Sequence, residues 1–171
     1  WDGHMSNDAF NRLILSAGFP WHQVVLCRAM SRYMRQINFN VSTTYIAEVL
    51  VKYHKVTNLL MEYFYVKFDP RKTEYKNLKA RQNYLITLSE KITSSLHEVA
   101  TRSEEQVLIR YFDIFQAMLR TNFYQRVEGN KLKRYLSFKF NSSKIPDLVK
   151  PLPYAEIFVY SREVEGIHLR G

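Results

Sequence analysis

Cys27 is the only cysteine in this chain of 171 residues. No disulfide can form within it, and a reducing, cytoplasmic setting is the expectation. Glycine and proline number only five each, too few for a β-sandwich or a disordered chain, and sparse glycine suits long helices. No apolar run approaches a membrane span and no signal peptide opens the chain, so no membrane partner is expected. No glycine-rich loop is present, which removes the phosphate cradle and the dinucleotide fingerprint. The five histidines are scattered, with no pair four residues apart and no carboxylates grouped beside them, so no metal site is expected. The triplets Asn40-Val41-Ser42 and Asn141-Ser142-Ser143 are read as chance matches to the glycosylation pattern.

What is present is apolar and basic. Apolar residues make up 46% and aromatics 15%, enough for a sizeable core. The net charge of +9 raises nucleic acid, anionic lipid or an acidic protein surface as partners. Its distribution weakens the first, because Lys and Arg are spread along the whole chain. Only Lys131-Leu132-Lys133-Arg134 forms a tight basic knot.

The pattern is helical for most of its length. Asp8 predicts an N-cap for a helix over Ala9–Ala17, stopped by Gly18. Pro20 opens a second helix running to Ile37, with Leu26, Cys27, Met30, Tyr33, Met34 and Ile37 on one face. Arg28, Arg32 and Arg35 fall on the opposite face. Ser42 caps a third helix through Tyr53. A fourth covers Val56–Phe68 and is cut by Asp69-Pro70. Over Arg71–Ala100 the residues Leu78, Leu85, Ile92 and Val99 recur every seven positions. That predicts one long helix of roughly 45 Å touching a partner along a seam. Ser103 with Gln106 reads as a capping box for a helix through Tyr124, apolar nearly all round and therefore buried, packed as a hairpin on the long helix.

After Arg126 the period changes. Glu128–Lys133 is a polar turn, Tyr135–Phe140 alternates as a strand, and Asn141–Pro153 is a proline-punctuated loop. Two more strands follow, Ile157–Tyr160 and Gly166–Leu169. Two strands alone are marginal in water, so they are expected to begin a sheet whose other strands lie outside this sequence. The fold class is thus mainly α. A multi-helix body with a long helix hairpin (1–134) leads into a few C-terminal strands (135–171) at the edge of an incomplete sheet.

No constellation for catalysis stands out. Cys27 lies on an apolar helix face and reads as a buried, inert thiol. Glu163 and Glu165 could share one face as acid and base, but a solvated turn accounts for them more simply. The three arginines of the second helix suit phosphate or carboxylate recognition, against the plainer account of a solvated face or ion pairs to a neighbouring domain. Arg120, between apolar neighbours near a helix end, reads as a strut for a carbonyl or carboxylate.

The chain also resembles the large bacterial NAD-specific glutamate dehydrogenases, nearly end to end. The residues that carry this begin with Trp1-x-Gly3 and Asp8-Ala9-Phe10-Asn11-Arg12-Leu13, which makes Gly3-His4-Met5 native rather than a cloning scar. They continue through Ala17-Gly18, Trp21, Arg28-Ala29, Tyr33, Arg35-Gln36 and Phe68-Asp69-Pro70. The most characteristic are Leu119-Arg120-Thr121-Asn122, Tyr124-Gln125, Phe138-Lys139, Glu156-Ile157-Phe158-Val159-Tyr160 and Glu165-Gly166-Ile167-His168-Leu169-Arg170-Gly171. Ala9, Phe123 and Met34 stand where the family usually has glycine, tyrosine and leucine.

The resemblance implies a parent enzyme that deaminates L-glutamate to 2-oxoglutarate and ammonium with NAD as cofactor. The family's glycine-rich segment, its glutamate-binding lysine and aspartate, and its nucleotide-binding fold are not in this sequence. No catalytic, cofactor-binding or metal residue is therefore expected here. The implied role is domain coupling and subunit assembly, with the rest of the polypeptide and other subunits of a homo-oligomer as partners. Candidate contact residues are Arg28, Arg32, Arg35, Arg120, Asn122, Lys139 and Arg170. The rival reading is a free-standing basic helical domain that binds nucleic acid through Arg28, Arg32, Arg35 and Lys131–Arg134.

Overall fold

A computed structural model describes residues 8–71, 77–128 and 131–171. Trp1, Gly3-His4-Met5, positions 72–76 of the expected long helix and 129–130 of the expected turn lie outside the described residues, as do the side chains of Lys131 and Leu132.

The first four helices follow their local signals. The Asp8 carboxylate accepts from the Phe10 N–H and starts a 3₁₀ turn, Ala9–Asn11, that runs into α1 (Arg12–Ser16). Gly18 sits at φ 69°, the left-handed conformation that stops the helix. Pro20 stays extended and hands over to α2 (Trp21–Gln36). Ser42 caps α3 (Thr43–Lys52) through the Tyr45 N–H, and α4 (His54–Phe68) ends at Asp69-Pro70.

The long helix is shorter than expected. α5 spans Leu78–Leu96, 19 residues, or about 28 Å. Asn77 caps it through the Lys79 N–H, and Leu78 is 79% exposed, so the sevenfold spacing starts in solvent. The buried seam is Leu88, Ile92 and Leu96, the period of an ordinary helix. The hairpin partner is α4, the preceding helix, and α5 touches α6 only lightly. The Tyr84 hydroxyl donates to Glu62, and the Ala100 N–H donates to the Tyr53 hydroxyl at the other end, so the pair runs antiparallel.

α6 (Arg102–Ala117) begins two residues earlier than the expected capping box. Thr101 Oγ1 accepts from the Glu104 N–H and donates to the Glu104 carboxylate. The helix is buried nearly all round, through Val107, Leu108, Tyr111, Phe112, Ile114 and Phe115. It stops at Ala117 rather than Tyr124. There Lys67 Nζ donates to the carbonyls of Phe115 and Gln116, satisfying two acceptors that the helix end leaves open. Met118–Thr121 then leaves as strand β1.

β1 joins β4 (Tyr135–Phe140), β5 (Ala155–Ser161) and β6 (Glu165–Arg170) in an antiparallel sheet of order β1-β4-β5-β6. β2 (Arg126–Val127) and β3 (Lys131–Leu132) pair as a separate two-stranded antiparallel ribbon. The expectation that the last strands find their neighbours only outside this sequence is thus corrected, since β4 and β1 supply two of them. The sheet is nonetheless open. β6 has no second partner strand among the described residues. Its inner face carries Phe138, Phe140 and Phe158, all fully buried, and they belong to one core cluster that continues through α6 to Phe10.

Candidate functional site

The joint between helices and sheet is built around α2. Tyr33 lies on its sheet-facing side, the Tyr33 and Phe140 rings stacked at 4.3 Å and 16° and Phe158 tilted 5.4 Å away. The Tyr33 hydroxyl donates to the Glu156 carboxylate at 2.5 Å, and Glu156 is 4% exposed. Burial first, then this hydrogen bond to a carboxylate, holds the Tyr33 pKa far above the ordinary phenol value. On the other side of α2 the Tyr111 hydroxyl donates to the Cys27 carbonyl, tying in α6. The Cys27 thiol is buried, which pushes its pKa up to about 12, with Arg28 only partly opposing. It is inert at neutral pH.

The three arginines of α2 do not form one exposed face. Arg28 is buried, with Nε 2.6 Å and one terminal nitrogen 2.9 Å from the two Asp8 oxygens. It also reaches Asn11 at 3.2 Å and lies over the Phe10 ring. Burial alone would lower its pKa, but Asp8 outweighs burial and keeps it above the usual value. Arg32 faces β6, 3.8 Å from Glu165. Arg35 is exposed at the last turn. Glu165 is thereby turned toward α2, while Glu163 sits exposed in the β5–β6 turn with its N–H on Ser161 Oγ.

The other candidates gather on the sheet. Arg120 stands opposite Lys139 in the β1–β4 register, and both point away from the phenylalanine face. Arg170 and His168 lie on the same outer face of β6, exposed. Asn122 works inside the sheet. Its Oδ1 accepts from the Ser137 N–H at 2.7 Å and its Nδ2 donates to the Tyr135 carbonyl at 3.1 Å, prolonging the β1–β4 ladder by a side chain.

Three features were missed in the sequence. Glu156 falls on the inward phase of an alternating strand, which marks it as needing a buried partner. Lys67, pushed down to about 8 by burial and then by Lys144, caps a helix 48 residues away. The Asp8–Arg28 clamp joins two helices whose caps and wheels give no hint of it.

The nucleic-acid reading loses its basis here. Arg28 is neutralised within the fold and Arg32 faces a carboxylate, so the basic helix face it needed does not exist. Among the described residues no three His, Cys, Asp or Glu side chains group closely enough to hold a metal ion, and no helix is long and apolar enough to cross a membrane.

Two family models match in sequence order. Residues 5–70 match the glutamate dehydrogenase helical motif 3, and residues 91–171 match the catalytic domain of bacterial NAD-glutamate dehydrogenase. Curated relatives named NAD-specific glutamate dehydrogenase are 41% identical in Halomonas elongata over 100% of the chain, 44% in Pseudomonas aeruginosa over 99%, and 33% in Mycobacterium tuberculosis over 99%. In each case the chain spans about a tenth (10%) of the relative's length. With matches to both models and along its whole length, the chain belongs to the family of large bacterial NAD-specific glutamate dehydrogenases, in the stretch that runs from helical motif 3 into the catalytic domain.

Proposed function

We propose that this chain is the mechanical joint of an enzyme that oxidises L-glutamate to 2-oxoglutarate and ammonium with NAD, and that it supplies none of the reacting groups. The helices, within 1–134, couple the catalytic part to the rest of the polypeptide and to other subunits of a cytoplasmic homo-oligomer. The strands of 135–171 begin the substrate-binding part. NAD is bound by the parent enzyme outside this stretch.

The observation that carries the reading is the Tyr33 seat. One side chain of α2 stacks on β4 and β5 and hydrogen-bonds to β5, so the helical body and the first strands move as one piece. The open edge of β6 supports it. β1 is blunted by a bulge at Leu119, the usual protection of a free edge, whereas β6 pairs regularly along its length and is ready to receive another strand. The matches to relatives named NAD-specific glutamate dehydrogenase support the activity.

The test has two arms. The isolated chain, mixed with L-glutamate and NAD, should give no rise in NADH absorbance. The full-length enzyme should turn over, and Tyr33→Ala in it should lower activity and loosen subunit assembly together. Glutamate-dependent NADH from the isolated chain would overturn the non-catalytic role.

A further inference from the structure

The two faces of the sheet differ in kind. Strand alternation and register fix what each carries. Toward α2 lie the three buried phenylalanines. On the outer face, Arg120 stands opposite Lys139, Lys139 opposite Ile157, and Ile157 opposite His168. Val159 lies one step along from Ile157, 38% exposed, and Arg170 one step beyond His168. The register places no acidic residue on this face of any of the four strands.

Like charges directly opposite each other on antiparallel strands are destabilising. Arg120 and Lys139 are such a pair, and their face offers no carboxylate between them. The apolar centre, Ile157 and Val159, is flanked by cations on both sides, by Arg120 and Lys139 toward β1 and by Arg170 on β6. A face of this pattern is complementary to a segment whose own apolar stripe is edged with Asp and Glu. A second copy of the same face would set cation against cation.

We infer that the outer face of the sheet is a docking surface for an acidic amphipathic protein segment lying outside residues 1–171. Its carboxylates meet Arg120, Lys139 and Arg170, and its apolar residues cover Ile157 and Val159. The inference is independent of the parent's chemistry, because its test reads contacts and not turnover.

The experiment is zero-length carbodiimide cross-linking of the full-length protein, read by peptide mass spectrometry. The expected product joins the Lys139 amine to an Asp or Glu outside residues 1–171, and its yield falls in R120E, which keeps that amine. In parallel, acetylation of Lys139 in the unmodified protein should be about tenfold slower than that of Lys150, which is exposed; that factor corresponds to roughly 1.4 kcal/mol. Acetylation of Lys139 as fast as Lys150 would show an open face and overturn the inference. So would protection without a carboxylate link, or a link only to carboxylates within 1–171. Binding of a short duplex DNA by the full-length protein that is lost in R120E/K139E would assign the face to nucleic acid and overturn it equally.

Discussion

Tyr33 and Glu156 are 123 residues apart in the chain and share a 2.5 Å hydrogen bond inside the core. The pair fixes α2 against the middle of the sheet. Tyr33→Phe keeps the ring on Phe140 but leaves the Glu156 carboxylate without its donor. The expected cost is about 1–3 kcal/mol. Tyr33→Ala removes the stacking as well and is expected to cost about 3–5 kcal/mol. Urea unfolding followed at 222 nm checks both. A double-mutant cycle with Glu156→Gln should show coupling, and strict additivity would place the two side chains in separate roles.

Asp8 performs two tasks, capping the turn before α1 and neutralising buried Arg28. Asp8→Ala therefore removes a cap and strands a buried cation. A loss of about 2–4 kcal/mol is expected. Arg28→Met leaves a half-exposed carboxylate and a packed side chain, and should cost less. By contrast Arg32→Ala breaks only a 3.8 Å, partly exposed pair, worth under about 1 kcal/mol and screened by salt. Thermal melts of the three variants at low and high salt separate the cases.

The alkaline limb of stability should be steep. Tyr33, Tyr65, Tyr111 and Tyr124 all have pKa values raised, chiefly by burial. Their folded values lie above the unfolded value near 10, so the stability they confer is complete below that pH. It is lost as pH rises, because the unfolded chain ionises first. The share of the 295 nm tyrosinate absorbance that belongs to these four of the twelve tyrosines should appear together with loss of helix. Ionisation of these tyrosines well before any loss of helix would contradict their burial.

Glu104 gives the opposite sign. Hydrogen bonds from Lys52, Tyr53 and Thr101 lower its pKa, Lys52 contributing most. Its contribution is present above the ordinary carboxylate range and is lost as pH falls through the lowered value. Glu104→Gln should flatten the acid limb of the urea midpoint between neutral pH and pH 3. Thr101→Ala should cost about 1 kcal/mol at every pH by removing the cap.

How much of this was legible in the sequence depended on distance along the chain. The signals at Asp8, Gly18, Pro20, Ser42 and Asp69-Pro70 are local, and the first four helices follow them. Tyr135–Phe140 was legible from alternation, as were the centres of the last two strands, Ile157–Tyr160 and Gly166–Leu169, which extend to Ala155–Ser161 and Glu165–Arg170. Met118–Thr121 was not, because its apolar residues continue the pattern of α6. Only pairing with Phe138–Phe140, some twenty residues on, makes it a strand. The sevenfold leucines were misleading for a similar reason. Leu78 has no surface to meet, and α4 selects Leu88, Ile92 and Leu96 instead. Among the candidate contacts, Arg28 read as exposed because its partner lies twenty positions earlier, at the cap of the turn before α1. That Arg120 and Lys139 meet is a matter of register, which a bulge at Leu119 sets.

Asn122 tests whether that register depends on one amide. Its oxygen accepts from the Ser137 N–H and its nitrogen donates to the Tyr135 carbonyl. Asn122→Ala loses both bonds and should cost about 1 kcal/mol. Hydrogen exchange at the Ser137 amide should accelerate. Asn122→Asp keeps the acceptor but faces the Tyr135 carbonyl with a second acceptor, so Ser137 should stay protected while stability falls at least as far. Slow exchange at Ser137 in the alanine variant would mean that backbone pairing alone holds β1 on β4. In that case the amide merely follows a register set by the bulge and the phenylalanine face.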